Sequence, residues 1–211
     1  MKASDYRRQG KESLEGEWGT AAWITVQFFV IHFIVNGLAN LIGTGNFFTA
    51  GNATVNILSE IMSIFILMPL TVGLSIAFLN NARENHLKNK SLYVFFTNGR
   101  YWGTVGLTFV ESIFLGLWFL LFVIPGIIKS LSYSQAYYIW KDNPNISILD
   151  CITASRQAMN GNKWELFYVY FSFIGWYFLG MISIGIGFIW IIPYVTSTSV
   201  VFYEDRIRPQ I

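Results

Sequence analysis

The four long apolar stretches of this chain contain almost none of its positive charge, and that pattern restricts the fold more than any motif does. The stretches run from about Gly19 to Leu41, Ile57 to Leu79, Trp102 to Trp140 and Leu166 to Phe202. A helix needs roughly 20 apolar residues to cross a hydrocarbon core about 30 Å thick. Lipid offers no water to backbone polar groups, so a spanning segment must satisfy them internally, as a helix does. Lys2, Arg7, Arg8 and Lys11 precede the first stretch, and Arg83, Lys88, Lys90 and Arg100 separate the second from the third. Lys141, Arg156 and Lys163 lie between the third and fourth, and Arg206 and Arg208 follow the last. Of 14 basic residues only Lys129 falls inside a stretch, and the gap Ile42–Asn56 has none. Cytoplasmic loops collect Lys and Arg. The expectation is therefore an all-α, polytopic membrane protein in the cell membrane, with both termini cytoplasmic.

The first two stretches are one span each. The third and fourth have 39 and 37 residues, which suits two spans joined by a tight turn. Ile184-Gly185-Ile186-Gly187 marks the turn in the fourth stretch. In the third, Gly116 and Pro125-Gly126 compete, and the turn is placed between them, near Leu120. The sequence leaves open whether 102–140 holds two full spans or a span plus a re-entrant segment. The reading is six transmembrane helices as three hairpins, a single transmembrane domain over 1–211. Residues 1–17 form a polar cytoplasmic segment, 141–163 a cytoplasmic interfacial helix, and 42–56 an uncharged outer connector. Five spans would place Arg206 and Arg208 outside, against the charge rule.

The six spans read as three copies of one unit. Each opens with a short amphipathic segment, then a glycine, then a tryptophan: Gly16-Glu17-Trp18, Gly99-Arg100-Tyr101-Trp102 and Gly161-Asn162-Lys163-Trp164. Asn98-Gly99 and Asn160-Gly161 are C-cap signals, because both residue types accept a left-handed backbone. The second arm of each hairpin carries a proline: Pro69, Pro125 or Pro193. Ser147 with Asp150 predicts an N-cap, followed by Ile148, Leu149, Ile152 and Met159 on one face of a helix lying in the headgroup plane. Ser91–Asn98, with Leu92, Phe95 and Phe96, is a shorter version.

Composition narrows the function. Charged residues make up 12% of the chain, about half the usual fraction for a soluble domain. A net charge of +2 is too small to point to nucleic acid, and its position beside apolar segments points to anionic headgroups. The sequence has no Walker loop, no G-x-S-x-G, no His-Glu-x-x-His and no CxxC pair. The polar segments are too short to fold as a catalytic domain. No enzyme activity, cofactor or metal is expected. Membrane lipids are the expected partners, with a membrane protein or a second copy as further possibilities.

Two charged residues inside the apolar stretches are candidates. Lys129 follows Pro125-Gly126, and a proline inside a helix frees a carbonyl that an ammonium can approach. Lys129 therefore reads as a ligand contact in a polar pocket, or as a residue that snorkels to headgroups or pairs for structure. Glu111 and Lys129 are equidistant from Leu120, which predicts a buried pair at one depth, structural before functional. His32, with no second ligand at suitable spacing, reads as packed or hydrogen-bonded. Glu60 reads as reaching water at the outer end of its span, and Cys151 as inert.

The run Leu117-Trp118-Phe119-Leu120-Leu121-Phe122-Val123-Ile124-Pro125-Gly126-Ile127-Ile128-Lys129-Ser130-Leu131-Ser132-Tyr133-Ser134 resembles the signature of bacterial integral membrane proteins grouped as domain of unknown function 975. So do Ser155-Arg156 with Met159-Asn160-Gly161, Ser172-Phe173-Ile174-Gly175-Trp176, Pro193-Tyr194 and Phe202-Tyr203. The resemblance implies a multi-pass bacterial membrane protein without an established activity. It draws attention to Lys129 and Arg156, which match the pattern, whereas Glu111 lies outside it. The functional expectation is a non-enzymatic protein binding lipids, amphiphiles or a membrane partner. A small transporter or channel subunit is the first alternative, and an immunity protein against membrane-active peptides the second.

Overall fold

The computed structural model describes residues 2–48 and 53–210, the side chain of Thr54 excepted. The described residues are helical throughout, without strands. The helices are α1 (Ala3–Glu12), α2 (Trp18–Thr44), α3 (Ala53–Met62), α4 (Met68–Glu84), α5 (Val94–Thr97) and α6 (Tyr101–Leu121). They continue with α7 (Val123–Tyr133), α8 (Ala136–Asp142), α9 (Ile148–Ala158), α10 (Lys163–Phe171), α11 (Ile174–Ile182) and α12 (Phe188–Phe202). A π-turn, Ser63–Leu67, fuses α3 to α4, and a second, Tyr203–Ile207, extends α12.

Four helical segments are long and apolar enough to cross a membrane: Trp18–Thr44, Val55–Glu84, Tyr101–Leu121 and Lys163–Ile182. This is fewer than the six expected from the apolar stretches. The other two apolar segments are helical but interrupted or short. One breaks at Ser134-Gln135 between α7 and α8, and α12 has 15 residues before its π-turn. The 42–56 connector is also shorter than expected: α2 continues to Thr44, and α3 begins at Ala53. Residues 49–52 of this connector lie outside the described residues.

The repeat is visible in the backbone. Gly16, Gly99 and Gly161 have φ of +83°, +74° and +83°, the left-handed region that side-chain-bearing residues enter at a cost. Each stands one or two residues before a helix whose first or second residue is Trp18, Trp102 or Trp164. Packing follows the same order. α2 lies against α4 and α12, α6 against α4 and α7, and α10 against α7 and α12. The short segments alternate with these: α1 packs on α12, the 3-10 turn Asn89–Tyr93 and α5 on α4, and α9 on α8. Each short segment thus leans on the helix that ends the preceding unit, and α1 on α12 closes the ring.

Small residues permit these approaches, as at close helix contacts in lipid. Gly10 faces Thr198, and Gly73 faces the Leu92 carbonyl, with no room for a Cβ. On α9, Ser155 Oγ donates to the Ser132 carbonyl at 2.8 Å, and Cys151 Sγ to the Ala136 carbonyl at 3.2 Å. The expected cap of α9 is present, the Asp150 amide donating to Ser147 Oγ at 3.2 Å. Its buried stripe, however, is Cys151, Ile152, Ser155, Ala158 and Met159, while Leu149 is 59% exposed. The helix buries its face against α6, α7 and α8, which displaces Leu149 from the expected apolar side.

The three prolines do different things. Pro69 follows the π-turn, and its missing N–H leaves the Phe65 carbonyl to accept from the Tyr101 hydroxyl at 2.7 Å. Pro193 lies inside α12. Pro125 occupies the first turn of α7, after Phe122 with extended φ −161° and ψ 150°. The first four N–H groups of a helix lack intrahelical partners anyway, so this proline frees no carbonyl and causes no kink. The carbonyl expected to receive Lys129 is therefore not created.

Candidate functional site

The ends of α4 and α8 and the C-terminal π-turn meet through ion pairs. Arg83, in the last turn of α4, donates from Nη1 and Nη2 to the Asp142 carboxylate at 2.6 and 2.7 Å. Its Nε donates to Glu204 at 2.7 Å, and the Tyr203 hydroxyl to Asp142 at 2.8 Å. Burial pushes the Asp142 carboxyl up, but the Arg83 and Tyr203 hydrogen bonds outweigh it and hold the group below the usual range. Beside this cluster, the Tyr6 hydroxyl donates to Asp205 at 2.8 Å, and Arg206 Nη2 to Glu165 at 3.0 Å. Arg7 of α1 donates to the Ser172 carbonyl at 3.0 Å, where the chain bends between α10 and α11. The charge map treated these basic residues as topology markers. The signal for pairing was an acid beside each of them: Asp142, Glu165, Glu204 and Asp205 at the ends of apolar stretches.

Glu111 and Lys129 do not pair. The chain turns at Phe122, two residues beyond Leu120, so Glu111 lies eleven residues before the turn and Lys129 seven after it. The offset is about one helical turn, roughly 6 Å of rise. Lys129 instead places its ammonium over the Trp118 ring, 4.3 Å from the centroid. That is a cation–π contact on the neighbouring helix.

Glu111 points elsewhere. Its side chain is 5% exposed, Oε2 has no hydrogen-bond partner, and the Tyr137 hydroxyl reaches its carboxyl. It lines a cavity of about 130 Å³ between α4, α6 and α8, together with Thr71, Thr108, Ser112 and Tyr137. Tyr137, Thr71 and Thr108 were not singled out from the sequence, because no local spacing links three helices.

A larger cavity, about 460 Å³, lies between α7 and the start of α10. Ile124, Ile127, Ile128 and Leu131 form one wall, Trp164 and Phe167 the other, with Lys163 at its edge. The charges of Lys163 and Arg156 both act on Lys129. Among the described residues no carboxylate pairs with any of the three. Gly126 does not line the groove; it faces the Phe119 ring, which leaves no room for a Cβ there. Lys129 and Arg156 are thus brought together with Lys163, while Glu111 is separate.

The remaining candidates are unremarkable. His32 is 3.1 Å from the Asn36 amide nitrogen, and Glu60 is exposed. Cys151 is fully buried, and burial pushes its thiol up to about 12, far from a reactive thiolate. Among the described residues no cluster of His, Cys, Asp or Glu suits a metal ion.

No curated protein and no solved structure matches this chain. A family model does, over residues 1–129 and again over 119–209, so that residues 119–129, with Lys129 at their end, fall in both matches. With nearly the whole length matched, the chain belongs to the protein family of unknown function DUF975.

Proposed function

We propose that this protein crosses the cell membrane six times, as three hairpins with cytoplasmic termini, and binds an anionic lipid or amphiphile without chemical turnover. The observation that carries the binding reading is the groove between α7 and α10. It offers apolar walls with Lys163 at its edge, and Lys129 on the same helix as one wall lies within reach of the Lys163 and Arg156 charges. Apolar walls with a few charged groups fixing orientation are the usual make-up of a ligand site. Clustered basic residues at an interface favour anionic headgroups. The wall helices carry exposed Trp164, 71%, and Ile124, 72%, as lipid-facing surface does.

Two features support six crossings. α7 with α8 covers residues 123–142, and α12 with its π-turn covers 188–207, each about the length of a crossing once its break is included. Arg83 touches both Asp142 and Glu204, which fits an even number of crossings between successive ends. Labelling of single cysteines in a Cys151→Ser background tests the arrangement. An impermeant reagent added outside should modify Thr49→Cys, which lies outside the described residues, and spare Ser147→Cys; modification of Ser147→Cys would overturn the six-span reading.

For binding, protein purified in mild detergent should retain phosphatidylglycerol over phosphatidylcholine in native mass spectrometry. The preference should fall severalfold in Lys163→Gln/Arg156→Gln. Equal retention of the two lipids would remove the anionic-lipid reading. The alternative of a small transporter or channel subunit draws on one observation, the polar cavity around Glu111 at the middle of α6.

A further inference from the structure

We infer that the cavity around Glu111 is a binding site for a small monovalent cation of Na+ size, with the Glu111 carboxylate as its charged ligand. The inference rests on which hydrogen-bonding groups face the cavity. Thr71 Oγ1 donates to the Leu67 carbonyl at 2.9 Å, and Thr108 Oγ1 to the Thr104 carbonyl at 3.0 Å. Ser112 Oγ donates to the Phe109 carbonyl at 2.9 Å. A hydroxyl has one proton and two lone pairs. Each of these groups has spent its proton on its own helix and turns only acceptor lone pairs toward the cavity. The Tyr137 hydroxyl stands beside the Glu111 carboxyl in the same cavity.

The result is a pocket in which Met68 and Leu115 stand among the side-chain oxygens of Thr71, Thr108, Glu111, Ser112 and Tyr137. Oxygen ligands of this kind suit hard cations. Glu111 is 5% exposed, its Oε2 is buried without a hydrogen-bond partner, and among the described residues no ion pair involves it. A carboxyl so buried either keeps its proton or ionises against a counter-charge such as a bound cation. The volume, about 130 Å³, holds a cation and a few waters at about 30 Å³ each. Thr71 sits two residues after Pro69 in the first turn of α4, and its hydroxyl bonds the carbonyl of Leu67, the last residue of the π-turn. Interruptions of this kind in a spanning helix are tolerated where they border a polar cavity. This site is on different helices from the α7–α10 groove and does not depend on lipid binding there.

The test is thermal unfolding of the purified full chain at one fixed pH and constant ionic strength, with choline chloride replaced stepwise by NaCl. The melting temperature of the wild type should rise with Na+ and saturate, and choline should have no effect. Glu111→Gln keeps the shape but removes the charge, and it should melt at one temperature whatever the Na+ concentration. Should that variant fail to fold, Thr108→Val removes one oxygen ligand at constant shape. It should shift the Na+ midpoint to severalfold higher concentration and leave the choline melting temperature unchanged. Direct binding of radioactive Na+ should approach one ion per chain. A wild type equally stable in Na+ and choline overturns the site. So does a Glu111→Gln variant that keeps the Na+ response, or a wild type that binds no Na+.

Discussion

Asp142 and Glu111 are both carboxyls largely hidden from water, and the molecule treats them oppositely. Asp142 is held by the bidentate Arg83 guanidinium and the Tyr203 hydroxyl, all within 2.8 Å. Glu111, at mid-span in α6, has one oxygen with no partner and a cavity before it. A buried charge is tolerated when geometry and hydrogen bonds return the desolvation penalty. At Asp142 that return comes from within the chain and ties together the ends of α4, α8 and α12. At Glu111 the chain supplies no counter-charge, and an outside ion is the complement. The pair distinguishes structural charge from charge awaiting a ligand, which net charge and composition do not reveal.

The contrast can be broken most directly at Arg83. Arg83→Met leaves Asp142 and Glu204 without their shared cation, at side-chain exposures of 19% and 24%. Removing one member of a buried ion pair costs about 3–5 kcal/mol, and partial exposure puts this site near the lower end. The expected result is a melting temperature in detergent lower by several degrees; an unchanged value would reduce the cluster to a surface feature.

Acid should act on the same end of the molecule. Asp142 has a folded-state pKa below its ordinary value of 3.8. Its stabilising contribution is therefore complete above that value and is lost as pH falls through the depressed folded pKa. Melting temperature should hold steady in this respect from pH 6 to about pH 4 and decline below it as Asp142 takes up a proton, and Asp142→Asn should flatten part of that acid decline. A variant with the full wild-type slope would assign the acid sensitivity to other carboxyls.

Lys129→Met comes next in size. With the ammonium over Trp118 at 4.3 Å rather than in a buried pair, truncation of the charge should cost about 0.5–1 kcal/mol. A loss as large as that for Arg83→Met would restore a buried partner for Lys129. The smallest effect is expected for Glu111→Gln in Na+-free buffer. There the substitution removes an uncompensated charge and should leave the melting temperature equal or slightly higher. A marked fall would make Glu111 a second Asp142 and erase the distinction.

Local signals in the chain are read correctly where the cause is local. Gly16, Gly99 and Gly161 are left-handed as their cap positions require, Ser147 caps α9, and the chain turns at Ile184–Gly187, where Gly185 has φ +88°. The turn in the third stretch was bracketed between Gly116 and Pro125, and it occurs at Phe122. Two residues of error there were enough to place Glu111 and Lys129 at one depth, because an error in a turn doubles across its two arms. The proline effect was also misjudged at Pro125, since helix position decides whether the missing N–H matters.

What the sequence by itself determined is the class of the molecule. Apolar length dictates a helical chain with segments long enough to cross a membrane, and the Gly-Trp spacing recurs at three left-handed glycines. Both are one-dimensional properties, set by residue transfer energies and backbone sterics. The tertiary structure alone decided which charges meet. Arg83 finds Asp142 and Glu204 across 59 and 121 residues, and Glu111 finds Thr71 and Tyr137 on two other helices. Such contacts depend on the rotation of each helix about its axis and its depth beside its neighbours. Those are settled by small-residue approaches such as Gly73 to Leu92, to which hydropathy is blind.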